Sequence, residues 1–359
     1  MAEKEKKQKQ EIPAMRGTFA IRGIVTTFDK VEGFTQETKK GNTMRRIRFN
    51  VSSSEGNIHS LQLQAFQTEY VYFSGREKQE NGEEKNVVEQ VKWNDRLKYR
   101  KEGFTPIDRI SYGLKKVVNP ETNREENERH TKLTYDAIED IYNLLEVGMS
   151  VYVRGNIQVE EYTAQNGEKR NTTRLIPTQI SLTGAPIDFN AEDFKEEAVF
   201  ELGVIAEDIE FSGTQEATVT GLFIGNQRMG RQTLVVRNDE SLKDNPDFDL
   251  ENLLTGLRNV KAYNKSYVYL TFVGNMINAA NRETVETEAI SNPFGFKDTH
   301  SPLRSSGRGF RREFLCTGVV EELIDTDTYT PENVDQFISQ FINPKQEFAD
   351  ATPADDFAF

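Results

Sequence analysis

Two pairs of carboxylates are spaced closely enough to act together in chemistry. Asp136 and Asp140 are four residues apart in a predicted helix, where one face would carry both and a metal ion could bind. A solvated helix face with the same spacing is the commoner case, and we favour it. Glu160 and Glu161 are adjacent in a predicted strand, so their side chains would point to opposite faces. This geometry argues against an acid–base pair.

The other residue types that catalyse reactions or bind metals are few and scattered. The histidines are His59, His130 and His300, and Cys316 is the one cysteine of the chain. This inventory excludes a disulfide framework and a four-thiolate zinc site, and the histidines do not have metal-ligand spacing. The sequence has no phosphate-binding loop, dinucleotide fingerprint or nucleophile elbow. We therefore predict a protein that is not an enzyme and needs no metal or cofactor.

Aromatic residues interleaved with basic residues form the remaining pattern. Bases stack on aromatic rings and basic groups contact phosphates, so the pattern is typical of single-strand binding. Core packing is the competing interpretation for each ring, and for Trp93 the sequence does not separate the two. The candidate single-stranded DNA-binding residues are Arg22, Arg46, Arg48, Phe66, Tyr70, Tyr72, Trp93, Tyr99, Tyr162, Lys169, Arg170 and Arg174.

The elements that position these residues are mostly strands. Between Met44 and Val51 the apolar residues alternate with outward-facing Arg46 and Arg48, and in the next strand Phe66 also faces outward. Thr134 is predicted to cap a helix. In the first half we predict strands at 18–28, 44–51, 58–66, 150–162 and 169–182, and a helix at 135–146.

Three strands, a helix and a closing hairpin are the element order of a five-stranded OB barrel. The charged segment 75–132 interrupts this order and is predicted to be an elaborated insertion with short strands near 87–93 and 107–118. The second half repeats the rhythm, and Val268–Asn275 loosely echoes Val151–Asn156. We therefore expect a mainly β protein with a few helices, in which an OB barrel is followed by a second, diverged OB-like domain.

The predicted organisation has two folded parts between polar ends. The second part is expected to hold strands at 199–211, 217–225, 231–238, 266–277, 283–290 and 313–323, and helices at 248–257 and after Thr330. The predicted boundaries are a leader at 1–15, an OB-fold domain at 16–187, a second OB-like domain at 188–343 and a disordered acidic tail at 344–359.

The net charge of −13 is unevenly distributed. Residues 1–187 carry 30 basic and 27 acidic side chains, whereas residues 188–359 carry 15 and 31. A nucleic-acid surface is therefore expected on the first half. The N-terminus does not resemble a signal peptide and no apolar run reaches the length of a membrane span, so we expect a soluble cytoplasmic protein without membrane contact.

The end of the chain combines two carboxylates with two phenylalanines. Asp355 and Asp356 would be attracted to a basic pocket, while Phe357 and Phe359 would fill an apolar slot. An ordinary frayed terminus is the alternative. We favour a partner-binding peptide.

The segment Leu145–Arg174 resembles bacterial single-stranded DNA-binding proteins. It contains the helix-ending Gly148, a strand reading Val-Tyr-Val-Arg-Gly, and Tyr162 before a glycine-containing hairpin. The resemblance implies that Tyr162 and Phe66 stack on bases and that the acidic, Phe-terminated end docks onto replication, recombination and repair proteins. The insertion and the second folded domain depart from the family, so a bacteriophage-encoded variant acting in the host cytoplasm fits better.

These observations lead to the hypothesis of a replication-associated single-stranded DNA-binding protein that recruits partners through its tail. Two alternatives remain open: an RNA-binding or strand-annealing OB protein, and a virion assembly protein whose barrels make protein contacts. The sequence does not decide whether the chain forms a homo-oligomer.

Overall fold

A computed structural model describes residues 13–30, 33–38, 41–78, 82–164, 166–225, 228–239, 242, 245, 248–262, 267–280 and 310–341. The elements up to the first helix are β1 (Gly17–Phe28), β2 (Thr35–Glu37), β3 (Thr43–Ser54), β4 (Asn57–Phe66), β5 (Tyr70–Lys78), β6 (Glu84–Lys92), β7 (Thr105–Pro106), β8 (Arg109–Gly113), β9 (Lys116–Val118), β10 (Glu125–Asn127), β11 (His130–Leu133) and α1 (Thr134–Leu144). The later elements are β12 (Ser150–Thr163), β13 (Lys169–Leu182), β14 (Glu197–Ser212), β15 (Glu216–Gly225), β16 (Arg228–Arg237), α2 (Leu250–Ala262), β17 (Val268–Ala280), β18 (Phe310–Val319) and α3 (Pro331–Phe341).

The first barrel closes in the order β1-β3-β4-β13-β12 and back to β1. Every neighbouring pair is antiparallel except β4 and β13, which pair in parallel at Leu61 and Leu175. The helix α1 lies between the third and fourth barrel strands in the chain. This is OB topology, and it confirms the predicted fold class.

The alternation in the sequence explains how these strands close around a core. Phe49 of β3 and Leu61 and Leu63 of β4 are buried, as their inward positions predict. The helix α1 adds Ile138 and Ile141 to the same core. The predicted cap at Thr134 is wrong, because Thr134 is the first helical residue and its hydroxyl donates instead to Asp108 Oδ1 at 2.6 Å.

The second barrel has the same strand order. β14, β15, β16, β18 and β17 form a closed ring, with β16 and β18 parallel and the other neighbours antiparallel. Its fifth strand is therefore Phe310–Val319, and the strand predicted at 283–290 lies outside the described residues. The helix α3 begins at Pro331 as predicted, and the amide of Asn333 donates to Thr330 Oγ1 at 3.3 Å.

Matching residues in the two barrels show that they are structural repeats. Phe19 lies opposite Gly155 in the first barrel, and Phe200 lies opposite Gly274 in the second. Each glycine follows a register shift, and an added Cβ would lie 2.1 Å (Gly155) or 2.0 Å (Gly274) from a carbonyl oxygen of the closing strand. Any side chain would collide with that backbone at either position. The predicted echo between the two segments is confirmed.

The barrels are joined edge to edge by their first strands. β1 pairs antiparallel with β14 from Gly17–Leu202 to Arg22–Glu197, and Phe19 lies directly opposite Phe200. Because these two phenylalanines hold equivalent places in the barrels, the pairing relates the repeats by an approximate two-fold axis.

A buried polar cluster adds a second link at the turn between β3 and β4. Asn57 Nδ2 donates to Glu196 Oε1 at 2.7 Å and to the Met276 carbonyl at 3.1 Å, and Asn57 Oδ1 accepts from the Asn278 amide at 2.7 Å. Glu196 also accepts from Ser53 Oγ at 2.5 Å. Residues of the first barrel thus bind the β17 strand of the second.

His59 belongs to this cluster. Its Nε2 lies 3.1 Å from Ser53 Oγ, and burial lowers the pKa of His59 to about 4. The imidazole is therefore neutral at physiological pH.

The insertion forms two small sheets and an extension of the first barrel. β6, β5 and β7 make one sheet and β9 and β10 the other, while β8 pairs in parallel with β13. The strands predicted near 87–93 and 107–118 are confirmed as β6, β8 and β9. In the part of the chain described, no helix is long and apolar enough to cross a membrane.

Candidate nucleic-acid interface

The outward face of the β3–β4 hairpin is basic and amide-rich. Along it Met44 lies opposite Phe66, and the next three cross-strand pairs are Arg46–Gln64, Arg48–Gln62 and Asn50–Ser60. None of these eight side chains is a carboxylate. Strands two and three of an OB barrel form the face that most often contacts oligonucleotides, so this hairpin is the first place to test.

Hydrogen bonds organise the side chains of this face. Arg48 Nε donates to Gln62 Oε1 at 3.0 Å, and Gln62 Nε2 donates to Gln64 Oε1 at 2.9 Å. The guanidinium group of Arg48 therefore lies along the strand surface. Phe66, at the end of the same row, has 45% of its surface exposed. An exposed ring beside oriented donors matches what a base and its phosphate require.

Arg45 points the other way and fixes the hairpin to the helix. Its Nη1 donates to the Tyr135 carbonyl at 3.0 Å and its Nη2 lies 3.0 Å from Glu139. The guanidinium carbon lies 4.3 Å from the centre of the Tyr135 ring. Arg45 thus supports α1, while its neighbour Arg46 lies on the outward face.

Two tyrosines follow Phe66 on the next strand. Tyr70 and Tyr72 are two residues apart in β5, so they share one face, and Tyr72 is 49% exposed. The chain from Phe66 to Tyr70 spans at most about 14 Å. Glu69 accepts a hydrogen bond from Tyr70 and raises the pKa of its hydroxyl. Three aromatic rings therefore lie close together in the chain, at or near the surface.

The opposite face of β5 is part of the core. Val71 and Phe73 are buried, and the Phe73 ring centre lies 4.4 Å from that of Tyr99. Tyr99 is half-buried, and its hydroxyl donates to Glu89 Oε2 at 2.7 Å. Burial is the largest cause of its raised pKa. The ring packs inside the insertion, which favours the packing interpretation of Tyr99 over the predicted stacking role.

Trp93 is also buried. It is 8% exposed, and its ring centre lies 4.9 Å from that of Tyr135 and 4.0 Å from the Arg96 guanidinium carbon. For Trp93 the structure therefore favours core packing, the competing interpretation, over the predicted stacking role. The alternation in β6 carried the signal, because Trp93 continues the inward row of Val87 and Val91.

The helix carboxylates are not on a solvated face, so that interpretation is wrong. Asp136 accepts two hydrogen bonds from Arg96, at 3.1 Å and 2.8 Å. Asp140 accepts from Lys132 Nζ at 2.6 Å and from the Tyr112 hydroxyl. Both attach the insertion to α1. Among the described residues, no group of three or more His, Cys, Asp or Glu side chains could hold a metal ion.

The end of the β12–β13 hairpin, called the arm below, carries basic residues that lie beside acids. Lys169 Nζ is 2.8 Å from Glu161, Arg170 is 3.1 Å from Glu168, and Arg174 is 3.9 Å from Glu160. Tyr162 lies opposite Arg170 and is half-buried. Arg22 is exposed on β1, between Tyr152 and Glu197, at the seam between the barrels. The structure therefore places these predicted residues in three separate regions: the outward face of the β3–β4 hairpin, the β12–β13 arm, and the β1–β14 junction between the barrels.

The arm is held by the second barrel. Glu160 is 8% exposed and accepts from Arg228 of β16. A Cβ at Gly230 would lie 2.8 Å from the Glu160 backbone, so the strands approach closely. The Arg231 amide donates to Asn171 Oδ1 at 2.8 Å. Sequence reasoning missed this contact, because Glu160 and its partner are far apart in the chain.

Comparison with known proteins gives a family for the chain. A family model described as YorF matches residues 16–352. The chain belongs to the YorF family. No curated protein matches the sequence. Among solved structures, a deletion variant of the single-stranded DNA-binding protein from Thermus aquaticus is similar at 12% identity, with a TM-score of 0.32 over 73% of this chain and 86% of that one. The wild-type form is similar at 13% identity and a TM-score of 0.32, over 74% and 87% of the two chains.

The second barrel of this YorF family member differs in charge at the matching face. The outward cross-strand pairs of β15 and β16 are Glu216–Arg237, Thr218–Val235 and Thr220–Thr233. One acid and one base replace the two arginines of the first barrel, and Arg237 also lies 2.9 Å from Glu313.

Further arginines of the second barrel are bound to acids. Arg231 Nε lies 2.6 Å from Glu207, and Arg311 lies 2.5 Å from Asp239 and 2.8 Å from Glu313. The carboxylates reduce the attraction of these groups for an anion, whereas no carboxylate belongs to the outward row of the β3–β4 hairpin. The predicted partner-binding residues of this YorF family member, Asp355, Asp356, Phe357 and Phe359, lie outside the described residues.

Proposed function

We propose that the chain binds single-stranded DNA on the β3–β4 hairpin of its first barrel. The observation that supports this most is a face with two arginines and no carboxylate, which ends at the exposed ring of Phe66. Tyr70 and Tyr72 extend the aromatic row onto β5. The matching face of the second barrel lacks this combination.

Binding on this face needs no bond-making chemistry. Bases stack on Phe66 and Tyr72, each stack contributing about 1–3 kcal/mol whatever the base. Arg46 and Arg48 contact phosphates and release counterions, so affinity falls as salt rises. Gln62 and Gln64 orient the guanidinium group and offer further polar contacts. Such a surface holds a strand without reading its sequence.

We further propose that the protein acts on strands exposed during replication, recombination and repair, in the cytoplasm of a cell or of a phage-infected host. The supporting features are the acidic second half and the Asp-Asp-Phe-Ala-Phe end. The tail would compete with DNA for the basic face and recruit partner proteins when DNA displaces it. Removal of residues 344–359 should then tighten DNA binding and abolish partner capture, and weaker DNA binding after removal would contradict the tail proposal.

The test of the main proposal is a fluorescence anisotropy titration with labelled oligo-dT at low and moderate salt. An external label is needed because Trp93 is buried and is a poor reporter. A matched RNA distinguishes DNA binding from a role as a general OB protein for single strands. Absence of binding at low salt would refute the proposal and favour an assembly protein that uses its barrels for protein contacts.

A further inference from the structure

The strand β6 is an unusually long open edge. It pairs with β5 on one side and forms the outer strand of the sheet β6-β5-β7, and no other strand of the described residues pairs with it. Its nine residues exceed the three or four residues of the edge strands β2, β9, β10 and β11. Proteins usually keep edges short, since an open edge offers unpaired backbone groups to another strand.

The sequence of β6 is complementary to itself when it runs antiparallel. If Val88 lies opposite Val88 of a second copy, Glu84 lies opposite Lys92 at both ends, and Asn86 lies opposite Gln90. Opposite charges placed directly across strands stabilise a pair, whereas like charges destabilise it. If the second copy of β6 shifts by two residues in either direction, both Glu84–Lys92 pairs are lost. A shift by one residue moves every side chain of that strand to the opposite face of the sheet. One register is therefore favoured.

The side chains in this register are the exposed ones. Glu84, Asn86, Gln90 and Lys92 are all exposed, and Val88 at the centre of the strand is 60% exposed. A second copy would cover Val88 with an identical valine.

We propose that β6 is a self-association surface, where two copies of the chain pair antiparallel about Val88 and form the four-stranded sheet β5-β6-β6-β5. In β5, Tyr70 lies opposite Lys92 and Tyr72 opposite Gln90, so the tyrosines share the face that carries Val88. The joined sheet presents the tyrosine pairs of both copies on one side. This last consequence rests on the proposed DNA binding, but the pairing itself does not.

Cysteine cross-linking of the full chain without DNA tests the pairing. In Val88→Cys the two new thiols lie across the symmetry axis, where a cross-strand Cα separation of about 4.5–5.5 Å suits a disulfide. In the control Gln90→Cys the thiols are about 14 Å apart, although the position is also exposed. The native Cys316 is buried and does not compete. We expect Val88→Cys to form covalent dimers at least about tenfold faster. Equal rates, or no dimer from either variant, would overturn the proposal.

A charge exchange provides an independent measurement. Lys92→Glu places two carboxylates opposite each other at both ends of the paired strands, because each substituted side chain faces Glu84 of the other copy. It should raise the dissociation constant, measured by sedimentation, by about tenfold, which is about 1.4 kcal/mol. The double variant Glu84→Lys/Lys92→Glu restores opposite charges and should recover most of the affinity. In the free chain Glu84→Lys loses an exposed ion pair with Arg76 at 3.5 Å and places a lysine opposite Lys78 of β5, and both effects are small at an exposed strand end, so the fold is preserved. Failure of the double variant to recover would also contradict the proposed register.

Discussion

Removing the two outward arginines of the β3–β4 hairpin should change how DNA binding depends on salt. Arg46→Gln/Arg48→Gln keeps side chains of similar length opposite Gln64 and Gln62 but removes both charges from the face. If each arginine neutralises one phosphate, the slope of log K against log salt becomes less steep by about 0.7 for each contact, or about 1.4 in total.

The same relation gives the loss of affinity at a chosen salt concentration. A slope change of about 1.4 means that the double variant binds about 25-fold more weakly at 0.1 M salt, and that the two proteins converge as salt approaches about 1 M. Anisotropy titrations with oligo-dT at four salt concentrations measure the slope directly. Folding of the variant is checked by thermal unfolding, where loss of the Arg48–Gln62 hydrogen bond should lower the melting temperature by only a few degrees.

Two controls make this result specific. Arg258→Gln removes a charge from α2 of the second barrel, where Arg258 donates to the Thr214 carbonyl, and should leave the slope unchanged. Phe66→Ala removes the ring that is 45% exposed and should weaken binding by about 5- to 150-fold at every salt concentration, with no change of slope. Parallel salt plots for the double variant and the wild type would refute the assignment of this face, as would an equal effect of Arg258→Gln.

Three predictions concern stability, each measured by urea unfolding. Glu160→Gln removes a buried carboxylate that binds two guanidinium groups and should lower the free energy of unfolding by about 1–2 kcal/mol. The control Lys169→Gln breaks an exposed ion pair and should lower it by under about 0.5 kcal/mol. Equal losses in the two variants would contradict the inter-barrel role of Glu160. Gly155→Ala should cost about 1–3 kcal/mol because its Cβ meets a carbonyl oxygen at 2.1 Å, whereas Gly184→Ala, with open space around it, should be nearly neutral. Burial lowers the pKa of His59 to about 4, whereas in the unfolded chain it is about 6.5, so as pH falls from about 6.5 to about 4 the unfolded chain binds the proton first and the protein loses stability. At pH 5 this effect amounts to about 2 kcal/mol, and His59→Gln should remove that part of the loss. An unchanged loss of stability in the variant would refute this prediction.

The first barrel was predictable because its signals are local. Arg46 and Arg48 alternate with inward residues over a single strand, so one strand of sequence is enough to place them outward. Both predicted outward rows are found, and the echo between the barrels was visible as a shared Gly-Asn step at Gly155 and Gly274.

The aromatic residues of the insertion were harder to assign because long-range contacts decide their burial. Trp93 packs on Tyr135 and Arg96, and although the alternation in β6 predicts which way its ring faces, no local pattern predicts the contact with α1. Likewise, the basic arm around Arg174 looked available for DNA until the fold placed Glu160 and Arg228 beside it. In each case the sequence identified an aromatic or basic residue but did not predict which residues contact it in the fold.

The difference between the barrels explains why an acidic chain can present one basic face. The second barrel pairs its first strand with β1, accepts Asn57 through β17, and binds the Glu160 arm through Arg228. Among the described residues, the second barrel pairs with the β3–β4 hairpin only at its turn, where Ala279 lies opposite Asn57. Four arginines of the second barrel, Arg228, Arg231, Arg237 and Arg311, are held by carboxylates, so these four add little attraction for a phosphate backbone. If the proposed DNA binding holds, the β3–β4 hairpin is the basic surface of the described residues that attracts the strand, and repulsion from the acidic half would direct the strand toward it.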